Sequence, residues 1–226
     1  MTKIWLVAFS VFVCGCEQQK EGLPAVTTAP AMATPAASPK VDPRPAIACF
    51  GDSLTAGLGL DEGQSYPALL QKDIDAQGYH YQVVNLGVSG ETTQDGLERM
   101  GMVLAEKPAV VVLEFGANDG LRGQPVPNTE RNLAAMIETF QKDGVKVLLA
   151  GITLPPNYGA EYIGRFDSMY VGLAAKYKVP LIPFLLVNVA GNPRLMQRDG
   201  LHPNAQGAQI VVRTVWRALE PMLQRG

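Results

Sequence analysis

From Ala46 onward, short apolar runs alternate with longer stretches in which apolar residues recur at helical spacing. Ala46–Phe50, Gln82–Asn85, Val110–Phe115, Val147–Ile152 and Leu181–Phe184 are bounded by Gly, Pro or Asn and read as strands. Helical stretches lie between them, near Tyr66–Gln77, Thr93–Leu104, Thr129–Asp143 and Phe166–Tyr177, and a last one spans Ala205–Leu223. Within Thr129–Asp143, Leu133, Met136, Ile137 and Phe140 fall on one helical face. Strict alternation of strand and helix, with strands apolar on both faces, predicts an α/β fold. Its parallel sheet is covered by helices on each side.

In such sheets ligands bind at the carboxyl ends of the strands, near the point where strand order reverses. Three loops that follow strands are unusual: Gly51-Asp52-Ser53-Leu54, Asn85-Leu86-Gly87 and Gly116-Ala117-Asn118-Asp119. A serine hydroxyl becomes an effective nucleophile when a base takes its proton, and that base is most often a histidine oriented by a carboxylate. Ser53 stands in a turn after the first strand that should open a helix or loop. The turn is not the G-x-S-x-G elbow of the α/β-hydrolases, because Thr55 occupies the place of the second glycine.

The chain has only two histidines, which narrows the choice of base. His80, in Gly78-Tyr79-His80-Tyr81, reads as a solvated turn residue. His202 stands in Asp199-Gly200-Leu201-His202-Pro203, three residues after an acid. In a turn, Asp199 would accept from one imidazole nitrogen while the other faces Ser53. An isolated histidine would read as a cap or a buried structural residue; the acid partner and the glycine turn favour chemistry. Acyl transfer also needs donors aimed at the developing oxyanion. The N–H groups of Ser53 and Gly87 and the side-chain amide of Asn118 are the candidates, and a glycine lets backbone approach the substrate closely. Gly87 or Asn118 alone would read as turn chemistry. Asp52 reads as a brace for the nucleophile loop, Asp119 as a cap for the turn that follows it, and Arg122 as a loop-fixing ion pair. Cys49, inside the first strand, reads as a small buried hydrophobe.

Composition agrees with an ordinary globular protein: 47% of residues are apolar and 18% are charged. A net charge of −2 without any run of Lys or Arg gives no sign of a nucleic-acid partner. Three cysteines at irregular spacing form neither a disulfide framework nor a zinc site, and acyl transfer by a serine and a histidine requires no metal or organic cofactor.

Taken together, Phe50-Gly51-Asp52-Ser53-Leu54, Gly87 in Asn85-Leu86-Gly87-Val88-Ser89-Gly90, Asn118 in Gly116-Ala117-Asn118-Asp119, and Asp199-Gly200-Leu201-His202 resemble the four blocks of the SGNH, or GDSL, hydrolase family, in order and spacing. The resemblance runs from about Ala46 to the C-terminus. It is nearest to the bacterial thioesterase I, lysophospholipase and arylesterase branch through residues 116–123 and 154–159. It implies Ser53 as nucleophile, His202 as base, Asp199 as orienting acid, and Ser53, Gly87 and Asn118 as oxyanion donors. It further implies a three-layer α/β/α sandwich, flavodoxin-like, with strand order 2-1-3-4-5. The substrate would be a small-molecule ester, thioester or lysophospholipid, with the loop Leu154–Tyr158 contributing to acyl-chain binding. Three other readings stay open at this level: a flavin- or nucleotide-binding module, a non-catalytic lipoprotein that binds acyl chains, and a carbohydrate O-deacetylase.

The first residues differ in character. Lys3 precedes an apolar stretch, Ile4 to Val13, too short to span a bilayer, which reads as a secretory signal. It ends in Val13-Cys14-Gly15-Cys16, which resembles the bacterial lipobox and implies lipidation of Cys16 and a membrane anchor. Glu17, in place of Asp, favours the outer membrane by that same resemblance. An ordinary signal peptide cut nearby is the alternative. From Glu17 to about Pro45 the chain is rich in Ala, Pro and Thr without periodicity, a semi-rigid spacer. The expected organisation is therefore a signal at 1–15, a lipidated linker at 16–45 and a hydrolase domain at 46–226 in the bacterial cell envelope.

Overall fold

The structure is a computed structural model that describes residues 42–225. The expected signal, Cys16 and most of the linker lie outside the described residues. Five parallel strands form one sheet: β1 (Ala46–Gly51), β2 (Gln82–Gly87), β3 (Val110–Glu114), β4 (Lys146–Ala150) and β5 (Leu181–Ile182). Their order is β2-β1-β3-β4-β5, as the family resemblance implies. Strand order reverses between β1 and β3, so the loops after β1, β2 and β3 gather at one edge of a crevice.

β1 and β3 are buried along their whole length, which is what runs apolar on both faces require. β5 is shorter than the sequence pattern suggests. Pro183 follows it, has no N–H to give the ladder, and ends the pairing with β4.

Eight α-helices flank the described sheet: α1 (Ser53–Ala56), α2 (Tyr66–Ala76), α3 (Thr93–Glu98), α4 (Met100–Ala105), α5 (Ala117–Leu121), α6 (Val126–Lys142), α7 (Ala160–Tyr177) and α8 (Ala205–Leu219). The helix expected over Thr93–Leu104 is broken at Arg99. Two glycines, Gly96 and Gly101, weaken a continuous helix there, and the Arg99 guanidinium turns onto the rings of Phe50 and Phe115. α6 starts earlier than expected because Pro127 is tolerated in a first turn. α8 gives way to a 3₁₀ turn, Glu220–Met222, at Pro221. The core is one cluster in which Phe50, Phe115 and Phe140 meet edge to face across the sheet and α6. Among the described residues no helix is long and apolar enough to cross a membrane.

Candidate active site

The chain leaves β1 at Gly51 and enters α1 within two residues. Asp52 caps that helix: its Oδ1 accepts the Leu54 N–H at 3.0 Å. Ser53 is thereby the first residue of α1, and its N–H, like every first-turn amide, has no acceptor within the helix. The Ser53 side chain lies at the C-terminal end of the sheet, where its Oγ is 2.8 Å from His202 Nε2.

His202 comes from the segment before α8, held in place by several backbone contacts. The Gln197 N–H donates to the His202 carbonyl at 2.8 Å, and the Gln197 amide also donates to the Pro203 and Leu58 carbonyls. Asn204 caps α8 by accepting from the Gln206 and Gly207 N–H groups. The His202 Nδ1 lies 2.6 Å from Asp199 Oδ2, while Asp199 Oδ1 accepts the N–H groups of Leu201 and His202. The Asp199 side chain is partly exposed. What burial it has pushes its carboxyl up, but the hydrogen bonds from the His202 ring and from the two backbone amides outweigh that and hold it below the usual carboxylate range. Ser53, His202 and Asp199 thus form one chain of hydrogen bonds.

The two other loops converge on the same end of the sheet. Gly87 ends β2 opposite Gly51, and its N–H donates to the Asn85 side-chain oxygen at 3.0 Å. Its lack of a side chain serves α1 as well as any ligand: a Cβ on Gly87 would lie 2.6 Å from the Thr55 carbonyl carbon and closer still to the Ala56 amide nitrogen. Asn118, in α5, donates from Nδ2 to the Glu91 carbonyl at 2.9 Å and to Asp52 Oδ2 at 3.3 Å.

Asp119 and Arg122 act differently from expectation. Asp119 is buried and accepts the Thr93 N–H and hydroxyl at 2.9 and 2.6 Å, in the first turn of α3 that Thr92 caps, rather than capping its own turn. Arg122 makes no ion pair among the described residues and donates instead to the Gly90 carbonyl. His80 is exposed. Cys49 is fully buried, and burial pushes its thiol up to about 12. The loop Leu154–Tyr158 packs onto α5, with Leu154 against Gly120 and the Tyr158 hydroxyl on the Leu121 carbonyl. Beside Ser53 and His202, Leu54, Leu58, Leu60, Tyr66, Leu186 and Val211 line a cavity of only about 10 Å³.

Three groups at the site had no place in the sequence reading. Glu114 ends β3 fully buried and binds the nucleophile turn. Arg99 pairs with Glu91 at 2.5 Å and donates to the Gly51 carbonyl at 3.1 Å. Thr55 links Glu114 to Tyr66. The one signal available for Glu114 was a carboxylate near the end of an otherwise apolar strand.

The GDSL-like Lipase/Acylhydrolase family model matches residues 49–210, from β1 into α8. The chain belongs to that family. It is 48% identical over 174 residues to Esterase TesA of Pseudomonas aeruginosa, covering 76% of this chain and 87% of that one. It is 37% identical over 175 residues to Thioesterase 1/protease 1/lysophospholipase L1 of Escherichia coli, covering 77% and 83%. A crystal structure of TesA superposes with a TM-score of 0.77 at 46% identity, over 79% of this chain and 99% of that one. The chain is therefore an enzyme of the GDSL esterase family.

Proposed function

We propose that the chain hydrolyses carboxylic esters or thioesters of acyl chains through a covalent acyl-enzyme formed on Ser53. The observation that carries this reading is the continuous path Ser53 Oγ to His202 Nε2 at 2.8 Å and His202 Nδ1 to Asp199 Oδ2 at 2.6 Å. In the first half-reaction Ser53 attacks the carbonyl carbon, His202 takes the hydroxyl proton, and the tetrahedral intermediate collapses as His202 protonates the leaving alcohol or thiol. Water repeats the sequence on the acyl-enzyme and frees the acid. Asp199 fixes the imidazole tautomer and stabilises the imidazolium that forms.

The oxyanion is received by the Ser53 and Gly87 N–H groups and by Asn118 Nδ2. Asn85 is exposed, so its side chain yields the Gly87 amide to a substrate oxygen. The bond from Asn118 to Glu91 holds its amide plane. Its longer contact to Asp52 is the one that an oxyanion replaces. Relatives named esterase, thioesterase, lysophospholipase and arylesterase support an acyl chain as the substrate's acid part. The lipobox-like Val13–Cys16 segment supports an anchored enzyme, tested by whether Cys16→Ser moves the protein out of the membrane fraction.

The test is labelling by a fluorophosphonate probe beside Ser53→Ala and His202→Ala, followed by p-nitrophenyl esters from acetyl to palmitoyl and by an acyl-CoA. Labelling and turnover confined to the wild type support the reading. Labelling that persists in Ser53→Ala, or a folded wild type without labelling or turnover, overturns it.

A further inference from the structure

The site rests on a buried pair of carboxyl groups, only one of which belongs to the nucleophile motif. Glu114 is the last residue of β3 and the register partner of Gly51. Its Oε2 accepts the Asp52 N–H at 3.3 Å and the Thr55 hydroxyl at 2.8 Å, so it grips the chain on both sides of Ser53. The Thr55 hydroxyl in turn meets the Tyr66 hydroxyl at 3.0 Å, which fixes the rotor. Gly51 makes this approach possible: a Cβ there would lie 2.6 Å from Glu114 Oε2. The other oxygen, Oε1, is buried and meets no donor from any described residue.

We infer that Glu114 is a positioning residue for Ser53, a neutral carboxylic acid that ties the turn Asp52–Thr55 to the end of β3. This deepens the proposed function and rests on Ser53 as the nucleophile.

The neutral form follows from what surrounds the group. From α1 and its cap it faces Thr55 and Asp52, from α2 the Tyr66 phenol and from α7 the Tyr170 phenol, while the Cys49 thiol of β1 lies against Tyr66. Arg99, at the break between α3 and α4, is committed to Glu91 and to the Gly51 carbonyl. Beyond Ser53, His202 acts on Asp52. Among the described residues no cation therefore offsets a charge on Glu114, and an ionised oxygen without a donor is the costliest buried group. Two neighbouring carboxyls at one site hold a proton in common. Burial first, and then the Asp52 charge, push Glu114 well above the usual carboxylate range. Asp52 also rises, to about 6, mainly from burial, but the Leu54 amide and the hydrogen bond with Glu114 favour its charged form. The pair thus holds one negative charge, on Asp52.

Glu114→Gln keeps both the acceptor and the neutral state, whereas Glu114→Leu stays neutral but removes the acceptor. The expected result is a Glu114→Gln enzyme within about threefold of wild-type kcat. Glu114→Leu should lose roughly 10²-fold in kcat and in the rate of fluorophosphonate labelling, at unchanged KM, as a displaced reacting group implies. If Glu114→Leu does not fold, Thr55→Val removes the same bond from its other end and should lower kcat in the same direction. Glu114→Gln as impaired as Glu114→Leu would overturn the neutral acid. Folded Glu114→Leu or Thr55→Val labelled at the wild-type rate would overturn the positioning role. A wild type that is not labelled at all would instead remove the nucleophile reading beneath it.

Discussion

Gly87 at the end of β2 lies against the Ala56 amide at the end of α1, so close that no side chain fits between them. The contact sets how near the helix that begins at Ser53 sits to the sheet, so this glycine helps to place Ser53.

Gly87→Ala should therefore push α1 away from β2. Overpacking of this kind costs about 1–3 kcal/mol, because the atoms met are backbone and cannot rotate away. A lower urea midpoint together with a loss of kcat is the expected pair of results. Wild-type values for both would show that the contact relaxes without moving Ser53.

Arg99→Ala should destabilise the fold by about 3 kcal/mol, the lower end for a buried ion pair that loses one partner. It strands the Glu91 carboxylate, removes a donor to Gly51, and uncovers Phe50, whose ring centroid lies 4.5 Å from the guanidinium carbon. Because the Glu91 carbonyl also holds Asn118, kcat should fall as well. Equilibrium unfolding of Arg99→Ala, Glu91→Ala and the double variant measures the coupling, and additive losses would show that the pair is incidental.

Asp52 and Asp199 should respond to pH with opposite signs. The Asp52 carboxyl is raised from 3.8 to about 6, chiefly by burial. The folded state therefore binds its proton more tightly than the unfolded chain. The resulting stability is complete below pH 3.8 and is lost as pH rises through 6. Melting curves should accordingly show wild type losing ground to Asp52→Asn across that interval, and parallel curves would argue against the buried charge.

Asp199 is held low, so its contribution is complete above 3.8 and is lost as pH falls through its folded value. Asp199→Asn should remove that acid-side dependence and lower kcat by about 10²–10⁴-fold through loss of the imidazole tautomer. Near-wild-type turnover in this variant would mean that His202 is oriented by other contacts.

Much of the fold was legible because the central strands β1 and β3, and β4 beyond Lys146, had to be apolar on both faces to sit between helix layers. The misplaced boundaries share a cause. At Pro183 and Pro221 a missing N–H ended an element that apolar periodicity alone would have continued, and at Arg99, inside a stretch expected to be one helix, a charged side chain turned inward onto Phe50 and Phe115. A sequence displays only near neighbours, so Asp119 reads as a local cap, whereas its partners Thr93 and Thr129 lie 26 and 10 positions away on other helices.

By itself the sequence determined the alternation that builds a parallel sheet, the crevice where chemistry collects, and four short blocks whose order names the family. Those features are local, since periodicity, turn residues and motif spacing are written in consecutive positions. Tertiary structure alone decided that Ser53 meets His202 across 149 positions, that Glu114 grips the chain on both sides of the nucleophile, and that Arg99 is drawn against Phe50 and Gly51. A carboxyl or guanidinium takes its ionisation, partners and role from the low-dielectric surroundings that folding brings to it, and those surroundings come from distant parts of the chain.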